Sequence, residues 1–378
     1  MKTNDLFTKV YLSVTDLTLH RERLRLYLSG DRHNKDLVAP SRLMISDSDT
    51  VLYKNPSPLY FTERTSIWEY LAQNEAAESR CVLKVVLLHN LWTNSRDVES
   101  KNHREREIMQ LKMNEEMRCL NKFYDAVVPH CMLAEGSAEA GNTSRVQYYE
   151  MKAVNSVTMQ AHHVLWGAQV MPRARCTLAA FVQSLRNHPG RLVAMPTLIH
   201  RVMICLSRLL RCGLLQMDFK WENCGLFYND DMLEVRILDT ATVVRVDDKR
   251  ATISTTYPPR FDRVTFFERE RCTPGETVVL WSLGVGFLQL ANPYKYKEIA
   301  RFFHHGSKVD KDVTLAEFAK NVAEPENTSK SYFWYVLALR CLRVGSRKTN
   351  ILRVRHVQNI VSRFAADIDG KVSYPREM

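Results

Sequence analysis

The chain has 378 residues, of which 45% are hydrophobic, 25% charged and 10% aromatic. That is the composition of a globular protein long enough to bury a large core without disulfide or metal staples. Its longest mostly apolar run, 278–291, falls well short of the ~20 residues that cross a bilayer. The N-terminus, Met1 to Phe7, has no apolar stretch of signal-peptide length, which predicts an intracellular protein with no membrane partner. The net charge of +11 suits nucleic acid, an anionic surface or a nucleotide, and singles out none of them.

In chain order, residues 1–50 read as an extension, with a helix over 16–28 (Leu17, Leu24 and Leu28 on one face) stopped by Gly30. A linker follows around Pro40 and Ser46–Asp49. Cys81–Leu88 is a β-branched and aliphatic run that predicts a buried strand with one lysine, Lys84, inside it. Residues 102–120 read as a charged helix with Ile108, Met109, Leu111 and Met117 as its apolar stripe. The segment 135–144 is rich in turn residues, and 163–171 is strand-like up to Pro172.

The second half reads as helical. A short helix is predicted over 178–185 and a strongly amphipathic one over 197–211, ended by Gly213. Residues 224–228 and 235–238 flank Asn229-Asp230-Asp231 as a hairpin. Residues 242–276 are polar and irregular, and helices are predicted over 278–290, 332–342 and 357–364. Strands followed by helices predict an α+β, bilobal chain. Nine scattered cysteines with no CxxC pair read as reduced core thiols.

Four polar features stand in a fixed order. Lys84 in Val-Leu-Lys-Val is either a lysine snorkelling from a strand edge or one placed for a phosphate. Glu105 follows on the charged helix, with Glu107 as its competitor. Asp218, Lys220 and Asn223 form a compact cluster between apolar segments. A carboxylate there can accept a hydroxyl proton, a lysine can offset phosphoryl charge, and an asparagine oxygen can bind Mg²⁺. Asp239, at a strand end, suits a metal carboxylate.

With these residues the chain resembles the protein kinase family over about residues 60–365. Val82-Leu83-Lys84 resembles the lysine strand, and Asp218-Phe219-Lys220-Trp221-Glu222-Asn223 resembles the D-L-K-P-E-N catalytic loop. Leu238-Asp239-Thr240-Ala241 stands where kinases have D-F-G, and Trp281-Ser282-Leu283-Gly284 is similar to the W-S-L-G of a later helix. Residues 170–177 fall at the interlobe hinge, and Arg347 fits a late structural arginine. The resemblance implies a protein-kinase-like fold with a small β-rich N-lobe over 51–170 and a larger helical C-lobe over 171–378. It implies ATP and Mg²⁺ as cofactors, protein serine or threonine hydroxyls as acceptors, and room for an activating protein partner. Asp218 and Lys220 would be catalytic, Lys84 would hold the phosphates of ATP and Glu105 would fix Lys84, and Asn223 and Asp239 would hold Mg²⁺.

The departures are specific. No glycine occurs between Gly30 and Gly136, so a glycine-rich phosphate loop is missing, and Thr65–Ala72 is its expected replacement. Gln216-Met217 replaces His-Arg before Asp218, Thr240-Ala241 replaces Phe-Gly, and Val279 stands for an aspartate. Pro258-Pro259-Arg260 is the nearest match to A-P-E, which sets Arg260 against Arg347. Phosphate- and metal-binding residues are kept while architectural ones are lost, a pattern that resembles the kinases of large DNA viruses, herpesvirus-like ones among them. The alternatives are a pseudokinase acting as a binding or scaffold module, and a basic nucleic-acid or virion structural protein. Nucleic-acid binding is disfavoured because no stacking aromatics interleave with the basic residues.

Overall fold

The computed structural model describes residues 10–12, 14–29, 34–45, 50–62, 65–72, 81–91, 131–132, 134–135, 149–154, 161–185, 194–229, 232–239, 242–247, 253–257, 271–272, 275–304, 315–323, 329–343 and 352–369. Its chain is α+β and divides into two compact units at Arg173/Ala174. Among the described residues no helix is long and apolar enough to cross a membrane.

The first unit is one sheet of ten described strands. They are β1 (Val10–Leu12), β2 (Arg42–Ile45), β3 (Val51–Lys54), β4 (Tyr60–Phe61), β5 (Thr65–Ala72), β6 (Cys81–Leu91), β7 (Cys131–Met132), β8 (Ala134–Glu135), β9 (Tyr149–Val154) and β10 (Ala161–Pro172). The order along the main path is β7-β10-β6-β5-β3-β2-β1-β8. Its two edge strands, β7 and β8, are one residue apart in the chain. That short connection brings the two ends of the path close together, so the sheet curls back on itself.

One face of the curl is the core. Side chains alternate along a strand, so Leu83 and Val85 point with Trp68, Tyr70 and Val170 into one cluster, each fully buried. Helix α1 (Val14–Ser29) adds Leu24 and Tyr27 to the same cluster. Strands β1 and β2 and helix α1, which lie in the segment that reads from sequence as an extension, therefore belong to the sheet and its core. The apolar spacing revealed the helix, but two strands of three and four residues carry too little periodicity to be read. A second expectation is corrected here. Thr65–Ala72 is a regular strand paired along β6 from Thr65↔Val86 to Tyr70↔Cys81, and it replaces no loop. At its start Thr62 and Thr65 exchange hydrogen bonds through Thr62 N–H, Thr62 Oγ1 and Thr65 N–H. Strand β6 extends to Leu91, and Pro172 ends β10 by pairing opposite Cys81. The helix predicted over 102–120 lies outside the described residues.

The second unit carries a small sheet and a set of helices. Strand β11 (Cys176–Thr177) leads into α2 (Leu178–Ser184), whose first turn is capped by the Thr177 hydroxyl accepting from the Ala180 N–H. Helix α3 (Met195–Arg211) follows, with Leu198, Ile199, Val202, Met203, Leu206 and Leu209 buried at the expected helical spacing. Gly213 ends it at φ 73°, the left-handed conformation glycine adopts without strain. Next come β12 (Leu214–Gln216), the hairpin β13 (Cys224–Asn229) and β14 (Met232–Ile237), and the short strands β15 (Val243–Arg245), β16 (Ile253–Ser254) and β17 (Arg271–Cys272). Helices α4 (Glu276–Ala291), α5 (Tyr296–Phe303), α6 (Leu315–Ala323), α7 (Ser329–Cys341) and α8 (Val354–Asp369) complete it. Helix α4 is buried on every side from Val278 to Ala291, which explains its continuous apolar run.

A buried imidazole makes the first unit sensitive to acid. His20 in α1 is 3% exposed. Burial, then the charges of Arg23 and Lys54, push its pKa down to about 3. In the unfolded chain the group titrates near 6.5. Between those values the unfolded state binds the extra proton, so the stability tied to neutral His20 is full above about pH 6.5 and is lost as pH falls towards 3. At pH 5 the loss amounts to about 2 kcal/mol. Urea unfolding at pH 7 and pH 5 should show this drop in wild type and a smaller drop in His20→Asn. An equal drop in both proteins would remove His20 as its source.

Candidate active site

The polar cluster predicted between apolar segments is held by its apolar neighbours. Strand β12 pairs with β15, Leu214 opposite Arg245 and Gln216 opposite Val243. The next N–H, that of Met217, donates to the Thr242 carbonyl at 3.0 Å. From here side chains alternate: Met217, Phe219 and Trp221 are buried, and Asp218, Lys220 and Glu222 are partly exposed. Phe219 and Trp221 meet edge to face, with ring centroids 5.3 Å apart. The Trp221 indole N–H donates to the Gly286 carbonyl of α4 at 3.0 Å. The loop is thus pinned by a strand ladder at one end and by an aromatic anchor at the other.

Asp218 sits between two sets of donors. Its Oδ2 lies 3.0 Å from the Lys220 ammonium. Its Oδ1 accepts the backbone N–H of Thr256, and Lys220 Nζ also donates to Thr256 Oγ1 at 2.8 Å. The three residues form a closed hydrogen-bonded triangle, with the Asp218 side chain 13% exposed. Asn223 joins through the main chain, its Nδ2 donating to the Asp218 carbonyl at 2.9 Å. That bond spends the amide nitrogen and leaves the amide oxygen as the atom for a cation. The Asn223 carbonyl accepts the N–H of Leu238 at 2.9 Å, which brings Asp239, one residue on, to the same loop. An amide oxygen and a carboxylate are hard donors, and two of them suit Mg²⁺, which keeps waters and substrate phosphates as its other ligands. Among the described residues no group of three His, Cys, Asp or Glu side chains could hold a metal on its own.

Four of the sequence-predicted residues, Asp218, Lys220, Asn223 and Asp239, are therefore brought together in the second unit. Lys84 stands in the first unit. It lies in β6 opposite Ile67 and Gln169, on the sheet face away from the core, between the fully buried Leu83 and Val85. Glu69 shares that face and is paired with Arg173 at 2.7 Å. Glu105, Glu107, Thr240, Ala241, Arg260 and Arg347 lie outside the described residues. Val279 is buried in α4, where an apolar residue fits its neighbours. In the same helix Gly284 allows the close approach of α7, since a Cβ there would lie 2.7 Å from Leu342.

Other site residues were not singled out from sequence. Thr256 is 38 residues from Asp218, and no spacing rule links them. Gln216 is 1% exposed, and its amide bonds Thr242 and the Asp239 carbonyl. Its signal was a polar side chain between Leu215 and Met217. Glu222 accepts from the Tyr296 hydroxyl at 2.9 Å. Burial, then the Glu222 charge, push the Tyr296 phenol far up. Glu276 accepts the Val354 N–H at 2.8 Å and so caps α8 from α4.

The anchor can be tested. A Cβ at Gly286 would lie 2.6 Å from the Trp221 ring, so Gly286→Ala must displace it, at about 1–3 kcal/mol. Trp221→Ala empties the site and should cost about 3–5 kcal/mol. Urea unfolding measures both, and wild-type stability in both variants would show that Trp221 does not anchor the loop.

No family model matches the chain, and no curated protein matches it in sequence. Among solved structures, one described as the structure of vaccinia related kinase 3 is similar over 92% of this chain and 96% of that one, at 12% identity and a TM-score of 0.40.

Proposed function

We propose that the chain is an ATP- and Mg²⁺-dependent protein kinase that phosphorylates serine or threonine hydroxyls. The triangle of Asp218, Lys220 and Thr256, with Asn223 and Asp239 beside it, is the observation that carries this function. Asp218 orients an acceptor hydroxyl and takes its proton as the oxygen bonds to the γ-phosphorus and the bond to ADP oxygen breaks. Lys220, already 3.0 Å from Asp218, offsets charge on the transferring group. Thr256 holds both, so the base and the cation keep one geometry before substrate arrives. Asn223 Oδ1 and the Asp239 carboxylate hold Mg²⁺, which when bound neutralises phosphate charge. Lys84 and Glu105 take their roles, phosphate contact and lysine pairing, from the kinase resemblance. Intracellular protein substrates and a herpesvirus-like placement rest on the sequence alone.

A pseudokinase is the second function, favoured by one observation. The hairpin of β3, β4 and β5 is built without glycine, so its backbone N–H groups cannot come as close to phosphates as a glycine-rich loop allows. Calorimetry separates the two. The kinase function predicts weak binding of ATP alone and tighter binding of Mg·ATP. No binding of either at millimolar concentration favours the pseudokinase.

Asp218→Asn keeps the size of the side chain and removes the base. Initial rates should fall at least ~10²-fold, with circular dichroism unchanged, and wild-type turnover would contradict the role of Asp218. Regulation follows from the neighbours. Met217 is fully buried and supplies no cation for a phosphorylated loop. Thr255 is 1% exposed and Thr256 is bonded to Lys220, so a phosphate on either would break the site rather than order it. Phosphatase treatment should leave the initial rate unchanged. A large fall traced to a residue between 252 and 265 would show that phosphorylation switches the enzyme.

A further inference from the structure

We infer that Gln216 is a positioning residue for Asp239, fixing through its side-chain amide where the metal-holding carboxylate stands relative to Asn223. This rests on Asn223 and Asp239 being the Mg²⁺ pair. Gln216 is 1% exposed, between Leu215 at 3% and Met217 at 0%. A primary amide buried among apolar side chains is costly unless both of its ends are bonded. Here both are. Oε1 accepts from the Thr242 hydroxyl at 2.6 Å, and Nε2 donates to the main-chain carbonyl of Asp239. The Asp239 carbonyl can only accept, so it fixes which end of the amide is nitrogen, and the oxygen faces the Thr242 hydroxyl.

The main chain holds Gln216 still. It is paired with Val243 in the β12–β15 ladder, and the Met217 N–H bonds the Thr242 carbonyl at 3.0 Å. The stretch around Asp239 is then tied at two points. The preceding residue, Leu238, donates its N–H to the Asn223 carbonyl at 2.9 Å, and the Asp239 carbonyl accepts from Gln216. The peptide between Ile237 and Leu238 is held by Asn223, and the peptide that follows Asp239 is held by Gln216, so the short stretch that carries the side chain is held at both of its ends. Loss of the Gln216 bond releases the second peptide and leaves the first. Groups of this kind, which hold a ligand without touching the metal, typically account for 10–100-fold in affinity. The amide does not titrate, so the hold on Asp239 is the same across the neutral pH range.

The test reads metal binding apart from turnover. Mn²⁺ is titrated into the full chain with a non-hydrolysable ATP analogue and followed by electron paramagnetic resonance, while calorimetry follows the analogue without metal. Gln216→Met should weaken Mn²⁺ about tenfold or more and leave metal-free nucleotide binding unchanged. Gln216→Glu, which keeps the acceptor for Thr242 and loses the donor to Asp239, should weaken it in the same direction if the Met variant fails to fold. Thr242→Val should weaken Mn²⁺ by less, and should add nothing in the Gln216→Met background, because it acts through the same amide. Wild-type Mn²⁺ affinity in both Gln216 variants would overturn the inference and leave the metal pair standing. If the wild type binds no Mn²⁺ with the nucleotide analogue, the metal pair itself fails and the inference falls with it.

Discussion

The polar cluster of the second unit depends on holding one carboxylate in a single orientation while it is largely removed from water. Asp218 is 13% exposed, and an ionised group so placed needs donors of its own. It has them on both oxygens, an ammonium two residues on and a backbone N–H from Thr256. A carboxylate that accepts from two fixed donors has little freedom to turn. A third bond, from Lys220 to the Thr256 hydroxyl, makes the arrangement self-supporting.

That triangle is only as rigid as the backbone beneath it. The backbone is held by groups outside the triangle: the β12–β15 ladder before it, the Trp221 indole on Gly286 behind it, and the aromatic contacts that run from Phe219 through Trp221 and Phe287 to Trp334. Trp221 stands where the resembling family has proline. A proline would fix one backbone angle, and tryptophan fixes the loop by burial and a hydrogen bond to α4. Met217 replaces a charged residue and is buried instead. At these two positions the departure from the kinase pattern exchanges one physical device for another.

Much of this was legible in the sequence, for stated reasons. The amphipathic spacing of 198–209 gave α3, the apolar run gave α4, and Asn229-Asp230-Asp231 gave the hairpin of β13 and β14. The short spacing of Asp218, Lys220 and Asn223 marked the site because residues that close must share one loop. What was missed lay in long-range pairing. Thr256 reaches Asp218 across 38 residues, and strands β1 and β2 enter the sheet through partners that no local pattern names. The absence of glycine makes Thr65–Ala72 read as a phosphate-loop replacement, whereas its alternation of side chains is that of a paired strand, with Ser66, Trp68 and Tyr70 turned to one buried face. Gln216 was seen as the loss of a histidine, and the bonds its amide makes could not be read from its identity.

The most direct measurement of kinase function is transfer of label from γ-labelled ATP to a generic basic protein by the purified chain, with Mg²⁺ and with chelator, followed by phosphoamino-acid analysis. Phosphoryl transfer by Asp218 and its neighbours predicts label on serine or threonine in the presence of Mg²⁺ and none with chelator. No transfer under either condition, from a chain shown to be folded and to bind the acceptor protein, would contradict it.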